Sequence, residues 1–185
     1  MFKAYKDGKL PTRGSKYSAS VDLYAREDVT IGAGETKLIQ LGVCIDLDSS
    51  NVYKNSTYRW AEKKEPTQDV IDAMKKQYIN DFCREHYLQL MLRSSMSKEL
   101  IIANGVGVVD LDYKDEIMIR VHNPIQEHQL YADASGAICG FTYQPSIKIK
   151  KGDRVAQITL LEHKSYLFGI ESKEERKGGF GSTGA

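Results

Sequence analysis

Residues 104–113 read Asn104-Gly105-Val106-Gly107-Val108-Val109-Asp110-Leu111-Asp112-Tyr113. An apolar run from Gly105 stops at a carboxylate, a leucine, a second carboxylate and a tyrosine. A short, valine-rich run bounded by glycine predicts a strand that ends in a turn. The same texture spreads outward in both directions. Tyr87 to Leu92 alternates, with Leu88, Leu90 and Leu92 on one face, and Glu116 to Val121 alternates as Ile117, Ile119 and Val121. Ser146-Ile147-Lys148-Ile149-Lys150 alternates too, then turns at Lys151-Gly152-Asp153 into Val155 to Leu161. Val29-Thr30-Ile31, the turn Gly32-Ala33-Gly34-Glu35 and the apolar stretch Thr36 to Ile45 extend the pattern toward the N-terminus. Side chains two apart share a face of a strand, so each segment predicts one buried and one wet side. Many short strands with glycine turns predict a mainly β protein, a barrel or jelly roll.

One segment departs from this period. Between about Thr67 and Arg84 the apolar residues are Val70, Ile71, Met74, Tyr78 and Phe82, which is helical spacing. Pro66 and Thr67 suit the entry, with Thr67 as N-cap, and Asp69 and Asp72 favour the positive end of the helix dipole. The spacing predicts one amphipathic helix over 67–84, inserted into a β fold. Before it, Ser49 to Lys64 is polar with Tyr53, Tyr58 and Trp60 and reads as an ordered loop or hairpin. Ile125 to Pro145 carries Tyr131, Phe141 and Tyr143 with Gly136 and Gly140, and reads as a long hairpin.

Composition sets outer limits. The 185 residues suffice for one domain with a substantial core, and 41% hydrophobic with 28% charged residues is a soluble, globular balance. A net charge of +1 provides no global field for nucleic acid or an anionic membrane, so any anion site must be local. No apolar run approaches the ~20 residues that cross a bilayer. Met1 to Lys6 lacks the apolar centre of a signal peptide, and a cytoplasmic location is the expectation. Cys44, Cys83 and Cys139 are odd in number and widely spaced, which fits small thiols in a reducing compartment rather than a disulfide frame or a zinc site.

Several residues invite chemistry. Arg93 can grip a phosphate with its planar fork and Ser94 can add a hydroxyl, although an arginine at a strand end also serves as an ordinary salt-bridge partner. Gln157, two residues beyond Val155, adds an amide donor. Asp110 and Asp112 point the same way if the chain is extended there, and a sharp turn would separate them. An ionised carboxylate can take a proton from an attacking water. Asp112 reads equally as a turn residue, and a core position is the common alternative for Tyr113. Finally, Arg176-Lys177-Gly178-Gly179-Phe180-Gly181-Ser182-Thr183-Gly184-Ala185 combines glycines, two hydroxyls and one aromatic. Glycine allows backbone N–H groups close approach to a phosphate, and no helical segment follows as it would in a P-loop. The stretch predicts a flexible arm over 171–185 that orders on a phosphorylated ligand.

Taken in order, Ser18 to Ala25, Arg93-Ser94-Ser95-Met96, Asn104 to Tyr113, Gly152 to Gln157 and the glycine-rich arm resemble the five motifs of the trimeric dUTP pyrophosphatases (dUTPases). The spacing of Asn104, Asp110 and Tyr113 is the most specific part of that likeness. The resemblance implies a distorted jelly-roll β-barrel over 1–170, a homotrimer with shared active sites, and hydrolysis of dUTP to dUMP and pyrophosphate. This limits uracil in DNA and supplies dUMP for dTMP synthesis. It implies that Arg93, Ser94, Ser95 and Gln157 hold the phosphate chain, and that Asp110 is the catalytic base and accepts from the sugar 3′-hydroxyl. Asn104, with Gly107 and nearby backbone, reads uracil, and Tyr113 packs under the deoxyribose to exclude a 2′-hydroxyl. Arg176, Gly181, Ser182 and Thr183 close on the phosphates while Phe180 stacks on the base. Mg²⁺ is the implied cofactor, held mainly by phosphates and water with Asp22 in its second shell and no direct protein ligand.

The sequence departs from the pattern at defined points. Ser20 and Val21 stand where the first motif has a glycine and a larger residue, and Lys114-Asp115 stands where a turn glycine follows the tyrosine. Aspartate tolerates a left-handed turn, so the hairpin is expected to survive. Arg176 and Phe180 are four apart instead of the family's five, which implies a re-routed loop. Insertions at about 49–86 and 125–145 replace brief connections, a likeness to some phage-encoded members, and they are expected either to cover exposed trimer surface or to meet a protein partner. A dCTP deaminase on the same fold is disfavoured by Asp110-Leu111-Asp112-Tyr113 and by the phenylalanine in the arm.

Overall fold

The computed structural model describes residues 1–48, 67–124, 128–143 and 146–170. Fourteen strands and one helix follow in the order β1 Phe2–Ala4, β2 Thr12–Arg13, β3 Val21–Tyr24, β4 Val29–Ile31, β5 Thr36–Gln40, β6 Val43–Ile45, α1 Gln68–Glu85, β7 His86–Leu92, β8 Ile101–Ile102, β9 Gly107–Asp110, β10 Met118–His122, β11 His128–Ala132, β12 Ile138–Tyr143, β13 Ile147–Ile149 and β14 Arg154–Glu162. A five-stranded sheet runs β2-β3-β14-β7-β9, and a three-stranded sheet runs β5-β10-β8. The pairs β1-β6, β4-β13 and β11-β12 complete a mainly β, jelly-roll type fold with one helix. Every described pairing is antiparallel.

The period-two reading holds where it was strongest. Leu88 and Leu90 are buried on β7 while Tyr87, Gln89 and Met91 are half-buried between them. Ile117, Ile119 and Val121 are all buried, and Ile147 and Ile149 bracket the exposed Lys148. These join Leu23, Ile39, Val43, Val155 and Ile158 in one core cluster. No described helix is long and apolar enough to cross a membrane.

Two expectations need correction. Thr36 to Ile45 is not one strand. The chain breaks at Leu41-Gly42 and passes from β5, which pairs β10, to β6, which pairs β1. Gly42 adopts φ +65°, a conformation that favours glycine, and its backbone lies against Gly8. A Cβ on Gly8 would sit 1.9 Å from the Gly42 carbonyl oxygen, so the two segments touch only because neither carries a side chain. The helix is also less embedded than its apolar stripe implied. It starts and ends one residue later than expected, Thr67 makes no side-chain cap bond, and none of its residues is buried. Val70 and Ile71 remain 45% and 42% exposed, while Phe82 and Cys83 in the last turns pack on the core. The segment 125–145 does contain a hairpin, β11 with β12, whose turn is held by the Asp133 carboxylate accepting from the Ser135 and Ala137 N–H groups at 2.8 and 3.1 Å. The expected loop over 49–64 lies outside the described residues.

A buried ion pair secures the β5–β6 crossing. Glu116 accepts from Arg26 Nε at 2.8 Å, from Arg26 Nη2 at 3.3 Å and from the Gly42 N–H at 2.8 Å. The hydrogen bonds from Arg26 to Glu116 raise the arginine's pKa further above its ordinary value. Removing one partner of a buried pair strands the other charge and costs about 3–5 kcal/mol. Glu116→Ala is therefore expected to lose about that much stability, read as a lower urea midpoint at unchanged m-value.

A second, exposed contact joins two turns. Asp28 accepts from the Lys151 N–H at 2.8 Å and lies 3.4 Å from Lys150 Nζ. The backbone donor first, then the lysine, hold its pKa below the ordinary aspartate value. A lowered native pKa stabilises the fold above the ordinary aspartate range and stops doing so as pH falls through the lowered value. The difference in urea midpoint between the parent and Asp28→Asn should thus be small but measurable near neutrality and shrink as pH falls below the ordinary aspartate range.

Candidate active site

Three neighbouring strands build the first half of the site. On β14, Gln157 lies opposite Asp22 of β3 and Met91 of β7. Arg93, just beyond β7, continues that ladder by donating its N–H to the Val155 carbonyl at 3.0 Å. The pairing of β14 with β3 shifts between Arg154 and Ala156, where Arg154 opposes Tyr24 and Ala156 opposes Leu23. In a regular strand Arg154 and Gln157, three apart, would face opposite sides. The extra residue, Val155, brings Arg154 onto the face of Asp22 and Gln157. Asp22 Oδ2 then accepts from Arg93 Nη1 at 2.7 Å and from Arg154 Nη1 at 3.4 Å. The aspartate is 10% exposed at its side chain, Arg93 24% and Arg154 55%.

Two guanidinium groups around one carboxylate leave a local excess of positive charge on a nearly neutral chain. Their forks suit the oxygens of a phosphate chain. Ser94 and Ser95 are exposed at the turn that follows, where the Arg93 carbonyl accepts from the Met96 and Ser97 N–H groups at 2.9 and 3.0 Å. Arg154 was not singled out in the sequence. Its residue type was visible, but the bulge that aims it was not.

The second half sits on β9 and its flanks. Gly105 takes φ +74° in the turn after Asn104, whose carbonyl accepts from the Val106 N–H at 2.9 Å. Asn104 is exposed at the tip of this turn. Gly107 is pressed against β7: a Cβ there would lie 2.9 Å from both Cβ and the carbonyl oxygen of Leu90. Asp110 ends β9 opposite Tyr87 and is exposed. The Tyr113 N–H donates to the Asp110 carbonyl at 3.1 Å, so a turn follows and the extended geometry that would align Asp110 with Asp112 is absent. Tyr113 is buried, and its hydroxyl donates to the Glu116 carbonyl at 3.1 Å. The turn needs no left-handed residue after Tyr113. Among the described non-glycine residues only Lys6 has positive φ, so neither Lys114 nor Asp115 stands in for a turn glycine in that way.

The two halves lie at opposite ends of β7. Asp110 faces Tyr87 at one end and Arg93 follows Leu92 at the other. Six residues of strand span about 20 Å. One chain therefore does not bring Asp110 and Tyr113 together with Arg93, Arg154 and Gln157. Arg176, Phe180, Gly181, Ser182 and Thr183 lie outside the described residues.

Asp110 also borders two clefts. One, of about 700 Å³, is lined by Asp110, Leu111 and Asp112, by the last turns of α1, and by the segment from His163 to Ile170. The other, of about 610 Å³, is lined by Tyr87, Val108 and Asp110 with Lys164, Leu167 and Phe168.

No family model matches the chain. A deoxyuridine 5′-triphosphate nucleotidohydrolase of Lactococcus lactis is 29% identical over 178 residues, covering 95% of this chain and 88% of that protein. One from Candida albicans is 25% identical over 183 residues, covering 96% and 82%. Among solved structures, the dUTPase of Staphylococcus bacteriophage 80alpha bound to dUpNHpp superposes with a TM-score of 0.57 at 17% identity over 96% of this chain and 97% of that one. The dUTPase of Streptococcus mutans superposes with a TM-score of 0.51 at 20% identity over 87% and 94%. The chain is thus similar in sequence to dUTPases along nearly its whole length, and it shares the fold of the dUTPase structures.

Proposed function

We propose that this chain hydrolyses dUTP to dUMP and pyrophosphate, in an assembly whose sites are shared between copies. The observation that carries the reading is the division of the site along β7. Arg93, Arg154 and Gln157 face one way at one end, and the Asp110–Tyr113 turn occupies the other. A triphosphate gripped at the first end cannot reach the second on the same chain across about 20 Å. A second copy that presents its Asp110 turn to the arginine end of its neighbour resolves this. A homotrimer is the arrangement that the resemblance implies.

In such a site the arginine pair and Gln157 hold the phosphate chain, with Ser94 and Ser95 at the adjacent turn. Asp110 accepts the proton of a water that attacks the α-phosphorus in line, and receives the sugar 3′-hydroxyl. Asn104 and the backbone around Gly107 read the uracil edge, and Tyr113 sits beneath the deoxyribose. The arm residues Arg176, Phe180, Gly181, Ser182 and Thr183 close on base and phosphates. The buried Tyr113 hydroxyl, tied to the Glu116 carbonyl, favours a fixed floor over a mobile one. Pre-positioning and charge neutralisation supply most of the rate in such transfers.

Mg²⁺ would enter with the triphosphate, neutralising part of its charge, and Asp22 would hold a water of its outer shell. Asp22 Oδ2 is already shared by two guanidinium groups, which supports an outer role over direct ligation. The proposed cellular roles are to limit uracil in DNA and to supply dUMP for dTMP synthesis, in the cytoplasm.

Pyrophosphate release measured with dUTP, dCTP, dTTP and UTP in Mg²⁺ should favour dUTP strongly. Asp110→Asn should lower kcat by about 10²-fold or more, and equal use of UTP would contradict the role given to Tyr113. Shared sites make a sharper prediction. Asp110→Asn and Arg93→Ala, each inactive alone, should regain part of the parent activity when unfolded and refolded together. A mixture as inactive as its components would show that each site is built within one chain.

A further inference from the structure

Helix α1 belongs to the inserted segment and to none of the five motifs, yet its last turns stand beside Asp110. Asn80, Cys83 and Arg84 line the same cleft as Asp110, Leu111 and Asp112. The helix end is tied down from several sides. The Glu85 carbonyl accepts from the His163 N–H at 2.7 Å, which joins the helix to the end of β14. Phe82 stacks on His86 with ring centroids 4.2 Å apart. The Arg84 guanidinium lies 5.9 Å from the centroid of the Tyr166 ring, against another wall of the cleft. Burial pushes the Cys83 thiol up to about 11, with the charge of Asp112 adding to the effect. Cys83 lines the cleft together with that aspartate turn.

We propose that α1 is part of the nucleotide site: Arg84 and Asn80 contact the nucleotide held at Asp110, and Cys83 packs the helix against the Leu111–Asp112 turn. The proposal rests on the reading of Asp110 as part of a dUTP site. It concerns only which of the two clefts beside Asp110 the nucleotide occupies and what α1 adds there. The α1 cleft places an amide and a guanidinium beside Asp110, where they can meet the polar groups of a nucleotide held there, with the ring of Tyr166 in the same wall. The other cleft is walled by Tyr87, Val108, Leu167 and Phe168, of which the last three are 60%, 69% and 76% exposed, and beside Asp110 its polar side chains are His163, Lys164 and Ser165, with no guanidinium or amide. That composition suits an apolar protein surface better than a nucleotide.

The geometry makes Cys83 a reporter. A nucleotide in the α1 cleft shields the thiol, whereas one in the other cleft leaves it as it is. The test is alkylation of the full chain by N-ethylmaleimide at about pH 9, where a little thiolate forms, with and without α,β-imido-dUTP and Mg²⁺. Peptide mapping compares Cys83 with the buried Cys44. The expected result is labelling of Cys83 slowed about fivefold or more by the analogue, with Cys44 unchanged. Arg84→Ala should raise KM for dUTP about tenfold with kcat within about threefold, and Arg84→Lys should recover part of the loss. Unchanged Cys83 labelling in protein shown by calorimetry to hold the analogue, or an unchanged KM in Arg84→Ala, overturns the proposal while leaving the dUTPase reading intact. A parent chain that neither binds the analogue nor hydrolyses dUTP overturns both.

Discussion

The pairing of β14 with β7 is the constraint on which the rest depends. It runs in unbroken register from Ala156 opposite Leu92 to Glu162 opposite His86. The buried side chains Leu88, Leu90, Ala156 and Ile158 fix that register, because a slip of one residue would turn every one of them to the other face. The same ladder carries the arginine end of the candidate site at one extremity and the Asp110 turn and α1 at the other. Its length therefore sets the separation of the two halves.

Around this ladder, polar contacts define what the apolar core leaves open. Glu116 links three distant parts of the chain: Arg26 after β3, Gly42 at the β5–β6 crossing and, through its carbonyl, the Tyr113 hydroxyl. Such a buried network specifies one arrangement because each member loses its partner if the others move. The Asp110–Tyr113 turn is thus linked through Glu116 to the Gly8–Gly42 contact, which belongs to no motif. At the other end, Asp22 holds Arg93 and Arg154 together, keeping two like charges close.

Local pattern made much of this legible. Alternation along 87–92, 117–121 and 147–149 identified strands and their buried faces, since side-chain direction follows from backbone period alone. The helix between 68 and 85 was legible for the same reason. What the stripe of Val70, Ile71, Met74, Tyr78 and Phe82 could not reveal was how little of it would be covered, because coverage depends on a partner surface. The break inside Thr36 to Ile45 was hidden because an apolar run reads alike in one sheet or two. The roles of Glu116 and Arg154 were hidden because both depend on neighbours far along the chain.

The sequence by itself determined the mainly β class, the position of the helix, the residues of the core strands and the set of side chains with phosphate and carboxylate chemistry. Those follow from period and residue type, which are local properties. Only the tertiary structure decided that Arg154 turns toward Asp22, that Tyr113 is anchored on Glu116, that Asp110 and Arg93 stand at opposite ends of one strand, and that α1 ends beside Asp110. Each of these depends on strand register, one bulge or a packing contact between residues tens of positions apart. Such non-local contacts arise from the burial of the whole core and leave no periodic trace in the chain.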